Sequence, residues 1–146
     1  MYLVDSNVYV QALRDPAFGA VLARWEQGAA ARLWLSVVVA FEVLQGATSS
    51  RAASDYERRL LEPFRRRGRL LATDARVWRT AAAIMRDLAS ARRYAAKLTM
   101  RAFVCDVLIA ASCRAVGATL VTANAADFEI IAEVVGFRYV TSFPET

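Results

Sequence analysis

Histidine is absent from the 146 residues of this chain, which removes several kinds of chemistry together. A Ser-His-Asp or Cys-His mechanism has no base, and zinc, copper or iron cannot be held by imidazole. Cysteine is nearly as scarce. Cys105 and Cys113 are the two thiols, placed on what reads as one helix and too far apart along its axis to bridge. Two thiols are too few to favour a thiolate-rich metal site, and reduced core thiols suit a bacterial-type cytosol, so a cytoplasmic location is expected. Long apolar runs are missing too, although 57% of the chain is apolar. The longest candidate, Leu33 to Leu44, contains Ser36 and Glu42, and falls short of the roughly 18 residues that span a bilayer. No basic leader precedes the first strand, so no signal peptide is expected. Lysine is confined to Lys97; arginine supplies every other cation, and it forks onto phosphate better than lysine does.

What remains is a hard-oxygen chemistry. Five polar residues sit beside apolar runs: Asp5, Glu42, Asp106, Asn124 and Asp127. A carboxylate in apolar surroundings costs several kcal/mol unless it is paired or holds a metal. If the fold gathers these groups, their repulsion demands a cation, and oxygen ligands favour Mg²⁺ or Mn²⁺. The net charge of +5 and pI near 9.8 point to an anionic partner.

The elements alternate. Tyr2 to Asp5 reads as a strand, with Ser6-Asn7 capping a helix through Val8 to Leu13. Asp15-Pro16 opens a second helix that stops at Gly28. Strand Leu33–Leu35 leads through Ser36 as N-cap into a helix to Gly46. A polar helix from Ser50 to Arg66 ends at Gly68, and Arg69 to Ala72 is a third strand. Asp74 caps an Ala-rich helix towards Arg93, and Tyr94 to Arg101 reads as a loop. Helix Ala102–Val116, strand Ala118–Thr122, helix Ala125–Ala132 and strand Phe137–Val140 complete the order. Such alternation predicts one α/β domain over residues 1–146, an open parallel β-sheet of about five strands flanked by helices on both faces. Ligands of such sheets bind beyond the carboxyl ends of the strands. Asp5, Asn124 and Asp127 follow strands, while Glu42 and Asp106 lie early enough in their helices to reach back to that edge.

Four segments, in this order, resemble PIN-domain ribonucleases of the VapC type, the toxins of type II toxin–antitoxin pairs. They are Tyr2-Leu3-Val4-Asp5-Ser6-Asn7-Val8, Leu35 to Ala47 around Glu42, Cys105-Asp106-Val107-Leu108-Ile109-Ala110-Ala111, and Leu120-Val121-Thr122-Ala123-Asn124-Ala125-Ala126-Asp127-Phe128. Ser6 stands where the family usually has threonine, and Arg92 to Arg101 departs from its usual approach to the third acid. The resemblance implies a PIN-like fold and a Mg²⁺-dependent endoribonuclease. Asp5, Glu42 and Asp106 would form the metal-holding core, with Asn124 or Asp127 as the fourth corner, and one or two ions bound. It also implies a cognate antitoxin that inhibits the enzyme and, with a mean hydropathy of +0.28, a two-fold homodimer.

Plainer roles compete at each position. Asp5 could cap its helix, Glu42 could pair with an arginine, and Asp106 could answer the helix dipole. Asn124 and Asp127 could serve as turn and capping residues. The arginines Arg58, Arg59, Arg65, Arg66, Arg67 and Arg69 form either a solvated helix face or a contact for RNA or antitoxin. Trp25, Trp34 and Trp78 read as core or interface. The alternative function is a catalytically silent PIN-like module that binds RNA or a protein. A DNA-directed structure-specific nuclease would need helices for which this chain has no room.

Overall fold

The computed structural model describes residues 1–91 and 94–145. Five parallel strands form one sheet: β1 (Tyr2–Val4), β2 (Leu33–Ser36), β3 (Leu70–Leu71), β4 (Thr119–Val121) and β5 (Arg138–Val140). Their spatial order is β3-β2-β1-β4-β5. The chain walks outward from β1 to β3, then returns to the other side of β1 for β4 and β5. With right-handed crossovers this reversal puts the helices on both faces. It also creates a topological switch point between β1 and β4, where the connections leave in opposite directions and open a crevice.

Helices α1 (Ser6–Arg14) and α2 (Pro16–Ala29) join β1 to β2. Asp5, not Ser6-Asn7, caps α1: its backbone is extended and its Oδ1 accepts the Ser6 N–H at 2.8 Å. Ser6 thereby becomes the first helical residue, freeing the Asn7 side chain for other partners. Asp15 caps α2 by accepting from the N–H groups of Ala17 and Phe18, with Pro16 where its missing donor costs nothing.

Ser36 ends β2 and caps α3 (Val37–Gln45) by accepting the Val38 N–H at 3.2 Å. The polar helix expected from Ser50 to Arg66 is continuous but not uniform. It runs as α4 (Ser50–Tyr56), a wider π-helical turn (Glu57–Leu61) and α5 (Glu62–Arg66). Pro63 explains the widening, because a regular helix would drive its ring into the carbonyl four residues earlier. Gly68 then turns the chain at φ 64°, a conformation that side chains with Cβ resist.

Asp74 caps α6 (Ala75–Ser90); the expected end at Arg93 lies outside the described residues. The segment Tyr94 to Arg101, expected as a loop, contains a one-turn helix, α7 (Ala95–Leu98). It is held in part by the Lys97 and Leu98 N–H groups bonding to the Tyr94 carbonyl. Helix α8 (Arg101–Val116) is buried along most of its length, including Phe103, Val107, Ile109 and Cys113. That burial on all sides makes it the central helix of the core. Gly117, at φ 66°, closes it, and α9 (Ala125–Ala132) joins β4 to β5. Cys105 and Cys113 are free and buried, as core residues. Trp25 is buried and Trp34 half-buried, but Trp78 is 54% exposed on α6, so it is no part of the core.

Candidate functional site

Asp5 leaves the end of the central strand β1, and Thr122 leaves the end of β4 beside it. The Asp5 carboxylate is 1% exposed and accepts three hydrogen bonds. Ser6 N–H meets Oδ1, while Asn7 Nδ2 at 2.7 Å and Thr122 Oγ1 at 2.6 Å both meet Oδ2. Burial raises its pKa, and those three donors pull it down without cancelling the rise. Asp5 is therefore a helix cap and a fixed site carboxylate together. Its Oδ2 is saturated, but a lone pair on Oδ1 remains. Asn7 clamps the switch point further: its Nδ2 also donates to Thr122 Oγ1 at 3.2 Å, and its Oδ1 accepts the Ala123 N–H at 3.2 Å.

Glu42 and Asp106 reach the same edge from the second turns of α3 and α8, which pack together. Glu42 Oε2 is buried and has no hydrogen-bond partner among the described residues. Its pKa is raised by burial, eased by the Ser6 hydroxyl, and raised again by the charge of Asp5. No ion pair to arginine satisfies it among the described residues, though the exposed Arg101 at the start of α8 eases its charge from a distance. Asp106, 7% exposed, is pushed up to about 8 by burial and then by Asp5, Glu42 and Asp127, with Lys97 opposing. Burial leads that shift, and the charges of three other acids add to it because they face the same edge. Burial and the charge of Glu42 also lift the Cys105 thiol to about 11, so it is no nucleophile at neutral pH.

The fourth corner is built differently. Asn124 precedes α9 without capping it through its side chain. Its amide Nδ2 instead donates to Asp127 Oδ2 at 2.9 Å, and its N–H donates to Thr122 Oγ1 at 2.9 Å. Asp127 Oδ1 is taken by the ammonium of Lys97 from α7. Burial would raise the Asp127 pKa, but the bonds from Lys97 and Asn124 outweigh it and leave it lowered. Sequence reasoning gave no role to Lys97 or Thr122. Thr122 stood inside a quoted motif, whereas Lys97 carried no local signal beyond being the sole lysine.

The arginines Arg65, Arg66 and Arg67 lie elsewhere. They immediately precede β3, at the amino edge of a sheet whose carboxyl edge carries the acids. Arg65 and Arg66 both pair with Glu62, at 2.7 and 2.8 Å, and Arg69 bonds the Ala30 carbonyl just before β2. Arg58 pairs with Asp55.

Among the described residues, no group of three or more Asp, Glu or Cys side chains is arranged to hold a metal ion as it stands. The acids make an open cluster with donors of one kind, oxygen. A hard divalent ion fits it on two observations: the orphaned Glu42 Oε2 and the all-oxygen donor set of Asp5, Glu42 and Asp106. Mg²⁺ keeps several waters and needs few carboxylates, so an open set suits it.

Solved structures share this fold. One is a DNA-bound VapBC from Salmonella typhimurium, at TM-score 0.70 and 20% identity, covering 95% of this chain and 96% of that one. Another is FitAcB from Neisseria gonorrhoeae, at 0.62 and 22%, covering 97% of each chain. VapBC2 from Rickettsia felis, bound to a DNA fragment from their promoter, aligns at 0.65 and 20%, covering 95% and 96%. No curated protein matches in sequence. Residues 2–134, which contain every acid of the cluster, match the family described as PIN domain. The chain belongs to the PIN domain family.

Proposed function

We propose that this protein is a Mg²⁺-dependent endoribonuclease, the toxin of a toxin–antitoxin pair, working in the cytoplasm as a homodimer and silenced by a cognate antitoxin. One observation carries the enzymatic reading: the buried Glu42 Oε2 has no hydrogen-bond partner among the described residues, at the edge it shares with the buried Asp5 and Asp106. A silent binding module has no use for acids that destabilise one another. Membership of the PIN family and the likeness in fold to VapBC and FitAcB support the toxin reading.

In this reading Asp5, Glu42 and Asp106 hold the ion. When bound, it supplies charge neutralisation at the phosphodiester and an activated water. The chain's own residues do the rest. Thr122 and Asn7 lock the Asp5 carboxylate, leaving Oδ1 as its ligating atom. Glu42 offers the unpartnered Oε2. Arg101, exposed at the rim, offers a fork to the RNA phosphate.

The test is cleavage of single-stranded RNA by the purified protein in Mg²⁺ and in EDTA, with Asp106→Asn as control. Cleavage by wild type in Mg²⁺ alone is expected. Cleavage that persists in EDTA, or that Asp106→Asn retains, would overturn the metal site; antitoxin binding with no cleavage would favour the silent module.

A further inference from the structure

The chain's single lysine is spent inside the acid cluster. Lys97 stands on α7, thirty residues before its partner Asp127 on α9, and its ammonium donates to Asp127 Oδ1. The same ammonium faces the Phe103 ring, 5.8 Å from its centroid, which fixes the side chain from a second direction. Its charge also opposes the rise of the Asp106 carboxyl. Asp127 Oδ2 is occupied by the Asn124 amide, which leaves that carboxylate with a partner on each oxygen.

A second divalent ion held at Asp127 would have to displace the Lys97 ammonium or the Asn124 amide, since each already takes one carboxylate oxygen. Lys97 already fills that place with a single positive charge. We propose that Lys97 is a positioning residue that serves as a built-in cation at Asp127 and restricts the site to one divalent ion. This rests on the metal-site reading above and deepens it, by assigning the ion count to a residue of the chain.

Four proteins test it: wild type, Lys97→Met, Lys97→Arg, and Lys97→Met combined with Asp127→Asn. Calorimetric titration with Mn²⁺ counts the ions bound, and circular dichroism verifies the fold. Wild type and Lys97→Arg should bind one ion, because guanidinium keeps the charge. Lys97→Met should bind two, and adding Asp127→Asn should return the count to one. A merely structural Lys97 would not change the count in this pattern. Two ions in wild type, or one in Lys97→Met, would overturn the proposal while leaving the metal site standing. No ion bound by any of the four would remove the metal site and the proposal together.

Discussion

Thr122 Oγ1 donates to Asp5 Oδ2 at 2.6 Å, joining the ends of two adjacent parallel strands across 117 residues of sequence. The bond is buried, so neither group has water to replace its partner. Thr122→Val, which keeps the shape and removes the hydroxyl, should cost about 1–3 kcal/mol of stability. It should also lower RNA cleavage about tenfold by loosening the Asp5 carboxylate. Thermal melts and cleavage rates at saturating Mg²⁺ report the two effects separately.

Asp106→Asn should abolish Mg²⁺-dependent cleavage while leaving the metal-free protein as stable as wild type or more so. The folded-state pKa of Asp106 is about 8, raised from 3.8, so the native state holds a proton that the unfolded chain releases. Its contribution is fully present below about pH 4 and is lost as pH rises towards 8, at up to about 1.4 kcal/mol per pH unit. Metal-free wild type should therefore lose stability across that window, and Asp106→Asn should flatten the loss. Denaturant titrations at several pH values in EDTA give the slope.

Mg²⁺ should raise the melting temperature of wild type, since a ligand bound by the native state alone stabilises it by mass action. Glu42→Ala removes the one buried side-chain acceptor without a partner among the described residues and should abolish that shift. In cells, expression of wild type without antitoxin should arrest growth, and Glu42→Ala should relieve the arrest. Unimpeded growth at verified soluble expression of wild type would count against the toxin reading.

Arg101→Ala should reduce the salt dependence of RNA binding by a log–log slope of about 0.7, the value for one phosphate contact on a single strand. Replacing Arg65, Arg66 and Arg67 together by Ala should leave the slope unchanged, because they sit at the opposite edge of the sheet and two of them pair with Glu62. Binding isotherms for a fluorescent RNA from 50 to 300 mM KCl, on the order of the range where such slopes are read, distinguish the two.

The strands and most helices were legible because their signals are local. Asp74 before an apolar-periodic helix and Gly117 after one mark boundaries wherever they occur. The gathering of Asp5, Glu42 and Asp106 followed from parallel topology, since all strands end at one edge. Helix α7 was not legible, because four residues show no period and Tyr94 offers no side-chain cap. Lys97 was missed for a related reason: its meaning lies in Asp127, thirty residues away, and no spacing rule links them. Asn7 was read as a cap because its spacing permits it; the cap went to Asp5, which left the amide free to bridge two strands.

The order β3-β2-β1-β4-β5 sets the time at which the edge can exist. Asp5 is made well before β4, one of the two neighbours of its strand, and before Asp106 and Thr122. A growing chain thus carries Asp5 for 117 residues before Thr122 can bond it. A chain that stops before β4 therefore holds Asp5 without the hydroxyl that fixes it, and the acid edge exists only in a chain that has folded across its whole sheet.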